Sequence, residues 1–197
     1  MNHLAHALLA GDEPGMVFGG LLADFVRGAP DPALPRTVRA GIRLHRRIDQ
    51  YTDAHPAVAA ARARFAPPLR RYAGILLDVW FDHCLARDFA HWSAVPLDAF
   101  SARVQAILVA HAAYAPPRLR DFVRTMQAHD LPAAYADRGE IAVTLIGLSR
   151  RLRRANPLAT ALPMLVADDP ALMRHFQDFF PAVMNFAAAA RAGSVAA

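Results

Sequence analysis

Fifteen prolines are scattered through a chain of 197 residues, and most of the stretches between them are of helix length. Proline fixes its own φ and has no N–H to give to a ladder, so it belongs in first turns and at the joints between helices. Between the prolines, apolar residues recur at spacings of three and four. Alternating Val, Ile and Thr patterns are scarce. The pattern confines the chain to an all-α fold. It predicts helices over Pro14–Arg27 (stopped by Gly28 and Pro30), Pro35–Asp53, Pro56–Phe65, Pro68–Ala90, Leu97–Ala113, Pro117–His129, Glu140–Arg154 and Pro170–Ala190. Pro181 is expected to kink the last of these. In the fourth, Leu76, Leu77, Trp80, Phe81 and Leu85 make the expected buried stripe. No internal repeat, Gly/Ser linker or sustained heptad interrupts the sequence, so residues 1–197 read as one domain, a multi-helix bundle.

Composition narrows the chemistry. Hydrophobic residues are 55% and charged residues 20%, enough for a sizeable core and unlike a disordered chain. All 22 cationic side chains are Arg, which excludes Schiff-base chemistry and a phosphate-loop lysine. The single Cys, Cys84, excludes an intrachain disulfide, a CxxC redox pair and a Cys-based zinc site. The net charge of +5 favours acidic partners. No helix-turn-helix, RNP, Walker or GxGxxG pattern is present, so nucleic acid is not the expected partner. The longest run without Asp, Glu or Arg, residues 104–117, is shorter than the roughly 20 residues that span a bilayer, so no membrane insertion is expected. The first Arg is Arg27, which leaves no charged n-region for a signal peptide, and a cytoplasmic location is expected.

Six of the nine His lie in the first 91 residues, and four segments concentrate chemistry there. Asn2-His3-Leu4-Ala5-His6 sets an amide beside two imidazoles; its structural alternative is a frayed terminus. Asp24 lies in the apolar run Leu21-Leu22-Ala23-Asp24-Phe25-Val26-Arg27-Gly28, where a carboxylate needs a metal or a partner such as Arg27. His45 and Asp49 are four apart in His45-Arg46-Arg47-Ile48-Asp49. On a helix they share a face, a spacing that can hold a divalent ion, or they form a weak surface pair. Arg46 and Arg47 carry guanidinium forks suited to phosphate. Asp78 and Asp82 likewise share a face among Leu77, Trp80 and Phe81, with His83 beside them, and solvation alone explains them poorly.

A donor set of His and Asp without Cys suits Mn²⁺, Mg²⁺ or Fe²⁺ better than structural zinc. Helix bundles hold such ions between facing helices. A divalent ion activates water and polarises a phosphoryl oxygen, while Arg offsets charge on the other oxygens, which together is the apparatus of phosphoester hydrolysis. Other features read as structural. Cys84 suits a small core hydrophobe, and His111 and His129 have no carboxylate at four residues' distance. Arg150, Arg151, Arg153 and Arg154 gather where a helix C-terminus favours cations. Arg118, Arg120 and Arg124 form a basic face, either solvated or available for docking.

Over these segments the sequence resembles the acyl carrier protein phosphodiesterases, or holo-acyl-carrier-protein hydrolases. The resemblance is carried by Met1-Asn2, Leu4-Ala5-His6, Gly20, Leu21 to Gly28, Ala40-Gly41-Ile42, His45 to Asp49, Thr52-Asp53, Arg70-Arg71, Leu77-Asp78-Val79 and Asp82-His83. It covers about the first 90 residues in colinear order. Beyond His91 only Phe176 to Pro181 and Met184 correspond. The family is similar to the metal-dependent, all-α HD phosphohydrolases, but the adjacent His-Asp dyad is replaced here by His45…Asp49 and the reversed Asp82-His83.

The resemblance implies hydrolysis of the phosphodiester linking 4′-phosphopantetheine to a serine of holo-acyl carrier protein, with Mn²⁺ as cofactor. An acidic carrier would be drawn to a basic enzyme. Asp24, His45, Asp49 and Asp78 are then the first expected ligands, with His6 a further one. Asp82 and His83 are expected as orienting or proton-transferring groups, and Arg46 or Arg47 as the phosphate clamp. Arg27 would brace Asp24. Two other readings remain at this point: a related phosphohydrolase of a nucleotide or other small phosphoester, and a helical binding module without catalysis.

Overall fold

The structure, a computed structural model, describes residues 2–195. Among the described residues there are eleven α-helices and five 3-10 turns and no strand. The α-helices are α1 (His3–Leu9), α2 (Pro14–Leu22), α3 (Arg36–Ala54), α4 (Pro56–Ala63), α5 (Ala73–Arg87), α6 (Phe89–Trp92), α7 (Leu97–Ala110), α8 (Pro117–Ala128), α9 (Arg138–Arg151), α10 (Leu162–Ala167) and α11 (Asp169–Val195). The all-α expectation holds, and the prolines sit where the backbone argument puts them. Pro14, Pro56 and Pro117 open helices, whereas Pro35 is the residue just before α3.

The departures are local. The helix expected over Pro14–Arg27 stops at Leu22 and tightens into a 3-10 turn, Ala23–Phe25, before Gly28 reverses the chain at φ +72°. The helix expected over Pro68–Ala90 is three pieces: a 3-10 turn at Arg70–Tyr72, then α5, then the short α6 beyond Asp88. The break at Asp88 turns Trp92 edge-on to Phe176 and Phe180 of α11, at ring separations of 5.7 and 5.0 Å. Helix α11 runs on through Pro181. Pro181 has no N–H to donate to the Gln177 carbonyl, which sits at an exposed position open to solvent. Helices α1 and α10 are too short to leave a periodic signal.

The core joins the helices around Phe18, Trp80, Tyr135, Phe176, Phe179 and Phe180, all fully buried. Phe81 of α5 meets Phe176 and Phe179 of α11 at 5.5 and 6.2 Å. Two contacts fix the N-terminal half. Helices α2 and α3 cross backbone to backbone: a Cβ on Gly19 would stand 2.1 Å from the Val38 carbonyl oxygen, and one on Gly41 2.3 Å from that of Met16. Only glycine allows that approach. It brings the turn after α2, with Asp24, alongside α3. Helix α1 is held by α5, because the Asp82 carboxylate accepts the Leu4 and Ala5 amides at 2.8 and 3.1 Å. Two amides left open at the start of α1 thus find their acceptor from a distant helix.

Candidate metal centre

Those two contacts gather four side chains from three elements. His6 comes from α1, Asp24 from the 3-10 turn, and His45 and Asp49 from successive turns of α3. His6 Nε2 lies 3.0 Å from one Asp49 oxygen and His45 Nε2 3.1 Å from the other. His45 Nε2 is also 3.4 Å from Asp24 Oδ1, and His3 Nε2 is 3.8 Å from Asp24 Oδ2. The His6 and His45 rings stack at 3.7 Å, which turns both Nε2 atoms the same way. Donor atoms of His6, His45 and Asp49 all lie within 4.8 Å of one another.

The donors fit a divalent ion. Ligands held about 2.1 Å from an octahedral ion are about 3 Å apart, close to the separations found here. The charges agree. Asp24 and Asp49, with side chains 45% and 41% exposed, bring two negative charges beside two buried imidazoles, against which one imidazolium is incomplete compensation and a divalent cation is complete.

Titration states follow from the same contacts. Burial opposes a charge on His45, but the hydrogen bonds it donates to Asp24 and Asp49 outweigh it and raise His45 to about 9. Burial pushes Asp49 up, yet hydrogen bonds from His45 and His6 hold its carboxyl well below the usual range. Asp24 is likewise lowered despite burial, by the His45 hydrogen bond and the charges of His3, His45 and His6. Burial, reinforced by the charge of His45, lowers His6 to about 4 against the pull of Asp49. Burial lowers His3 to about 4 as well, with His45 and Arg151 acting in the same direction and Asp24 against it.

A pH dependence of metal binding results. Below pH 9 the metal-free His45 carries a proton that an ion must displace, whereas His6 is already neutral above about pH 4. Affinity for a divalent ion is expected to climb about tenfold per pH unit across neutral pH and to level off near pH 9, with about one proton released per ion. Titration calorimetry in buffers of different ionisation enthalpy measures that proton. No proton release at pH 7 would contradict a protonated His45 as the resting state.

The remaining expected residues have other contacts. Asp78 lines an adjoining cleft with His3; burial raises its carboxyl, and the charge of Asp49 acts in the same direction. Asp82 is spent on the start of α1, and burial pushes it up to about 7 against the two amides. His83 turns away from the cluster, its Nδ1 2.8 Å from the Tyr135 carbonyl that it meets as donor. Arg46 donates to the Gly28 carbonyl and so ties down the loop beyond Asp24. Arg47 lies over the Phe186 ring of α11 at 5.5 Å. Two groups near the cluster were assigned no part from sequence: His3, and Arg151 at the end of α9, which lines the cleft with Arg150. No spacing rule could have found Arg151, whose approach to His3 depends on how α9 folds back over α5.

The adjoining cleft has a volume of about 550 Å³ and is walled by α5, α8 and α9. Ile75, Phe122, Val143, Ile146 and Leu148 make it largely apolar, and the arginines stand at one end. No described helix is long and apolar enough to cross a membrane.

The family model for acyl carrier protein phosphodiesterase matches residues 1–183, well past the stretch where the resemblance is evident by eye. A protein of Escherichia coli O45:K1 (strain S88 / ExPEC) named acyl carrier protein phosphodiesterase is 37% identical over 189 residues, covering 94% of this chain and 96% of its own. One of the same name from Serratia proteamaculans (strain 568) is 36% identical over the same share of both chains. No solved structure gives a significant match. The match along nearly the whole length makes this chain a member of the acyl carrier protein phosphodiesterase family.

Proposed function

We propose that the protein hydrolyses the phosphodiester between 4′-phosphopantetheine and a carrier serine in holo-acyl carrier protein, releasing apo-carrier and free 4′-phosphopantetheine. The observation that carries this reading is the meeting of the buried His6 and His45 with the half-exposed Asp49 and Asp24, in a chain of this family. These four would hold a divalent ion; the family implies Mn²⁺, and two imidazoles beside two carboxylates make a donor set that admits Mg²⁺ or Fe²⁺ as well. When bound, the ion supplies activation of water and polarisation of the phosphoryl group.

The chain's own residues do the rest. Asp82 keeps His6 in place by holding α1, and Asp24 braces both His3 and His45. Arg150 and Arg151, which line the cleft, would offset charge on the phosphate oxygens, the part expected from sequence for Arg46 or Arg47. The surplus of Arg would speed the approach of an acidic carrier, with a gain that falls as salt rises. A cytoplasmic setting suits a chain whose one thiol, Cys84, is buried and free.

The test is incubation with holo-carrier and Mn²⁺, followed by mass spectrometry of the carrier. Loss of the prosthetic group is the expected result. An unchanged carrier mass with folded, Mn²⁺-loaded protein would refute the reading.

A further inference from the structure

We infer that the cleft between α5, α8 and α9 holds the pantetheine arm of the substrate, phosphate end at His3 and the rest of the arm against α9. The inference rests on the hydrolytic reading above and names where the substrate lies. Continuity is the first ground: His3 both lines the cleft and reaches Asp24 of the ion-binding cluster. A phosphate among the metal ligands therefore has the cleft as its neighbour.

Chemistry is the second. Beyond its phosphate the arm is an uncharged chain with two amides and apolar segments. The cleft matches that pattern. Val143 and Ile146 of α9 face it while 45% and 37% exposed, a solvent-facing apolar wall that an occupant would dry. Thr125 and Thr144 put hydroxyls among the apolar side chains, as suits amides. Asp78, His129 and Glu140 also line it; burial raises the Asp78 carboxyl, and His129 and Glu140 are engaged with each other at 3.2 Å. The free cations, Arg150 and Arg151, are confined to one end, where an anionic phosphate or an acidic carrier would meet them. About 550 Å³ lies within the usual range for a site that takes a small organic group.

Gly147 makes the idea testable without breaking the fold. It lines the cleft, and a Cβ built there meets nothing within 4 Å. A larger residue gains helix propensity and fills only the cleft. Calorimetry would compare inorganic phosphate with 4′-phosphopantetheine on the Mn²⁺-loaded protein. In the unmodified protein 4′-phosphopantetheine should bind about tenfold or more tighter than phosphate, the increment coming from the arm. Gly147→Phe should lose that increment and keep its phosphate affinity. Val143→Trp, at an exposed position, gives the same reading should Gly147→Phe fold poorly. Equal affinity for the two ligands in the unmodified protein, or an increment that survives both substitutions, would overturn the assignment. If the increment is present but holo-carrier is not cleaved, the cleft assignment stands and the hydrolytic reading falls.

Discussion

Asp49→Ala should remove Mn²⁺ binding and reduce turnover of holo-carrier by well over 100-fold. Asp49 is the one residue whose two oxygens meet both buried imidazoles, His6 at 3.0 Å and His45 at 3.1 Å. Loss of a group that merely orients a metal ligand costs about 10–100-fold, so loss of a carboxylate at the centre of the donor set costs more. The fold should survive, because Asp49 is only partly buried and alanine favours the helix interior it would occupy. Asp49→Asn keeps the shape and removes the charge; it should bind the ion weakly and leave the circular dichroism spectrum unchanged. The measurement is metal content by mass spectrometry alongside the carrier assay. Full Mn²⁺ loading with activity within twofold of the unmodified protein would sink the ligand assignment.

The second large effect is on stability. Asp82→Ala should cost about 3–5 kcal/mol, since two buried amide hydrogen bonds to a carboxylate disappear together and hydrogen bonds to such groups are worth about 1.5–3 kcal/mol each. Asp82 is fully buried, so water cannot take its place. The damage would reach the ion-binding cluster through α1: once Leu4 and Ala5 lose their acceptor, the helix frays and His6 leaves Asp49. Asp82→Asn retains one acceptor oxygen and should fall between the two. Urea unfolding followed by circular dichroism checks the order. A midpoint for Asp82→Ala equal to that of the unmodified protein would mean that α1 is held by its apolar contacts alone.

Legibility from sequence followed the range of the forces involved. The 3.6-residue period and the proline positions report local backbone preference, and most helices lie close to where they point. The same period sets His45 and Asp49 on one face of α3, and they are 3.1 Å apart. Long-range placement was harder to read. His6 lies on a helix of seven residues, too short to be stable or visible alone; it forms because Leu4, Ala7 and Leu9 are buried and Asp82 caps it. The carboxylates of α5 illustrate the same limit. Their spacing marks Asp78 and Asp82 as unusual, but whether each meets an ion, a cleft or a helix end depends on which element packs against that turn. The tight glycine crossing of α2 and α3 leaves no periodic trace either, though it is what brings Asp24 to His45.

The tie between α1 and α5 also has a consequence for biosynthesis. All four proposed ligands have been synthesised by residue 49, yet the side chain that holds the first of them in place is made only at position 82. A nascent chain halted between those points would carry the donors on a helix not yet anchored. Ion capture should therefore follow the emergence of α5 and lag behind translation of the ligands themselves.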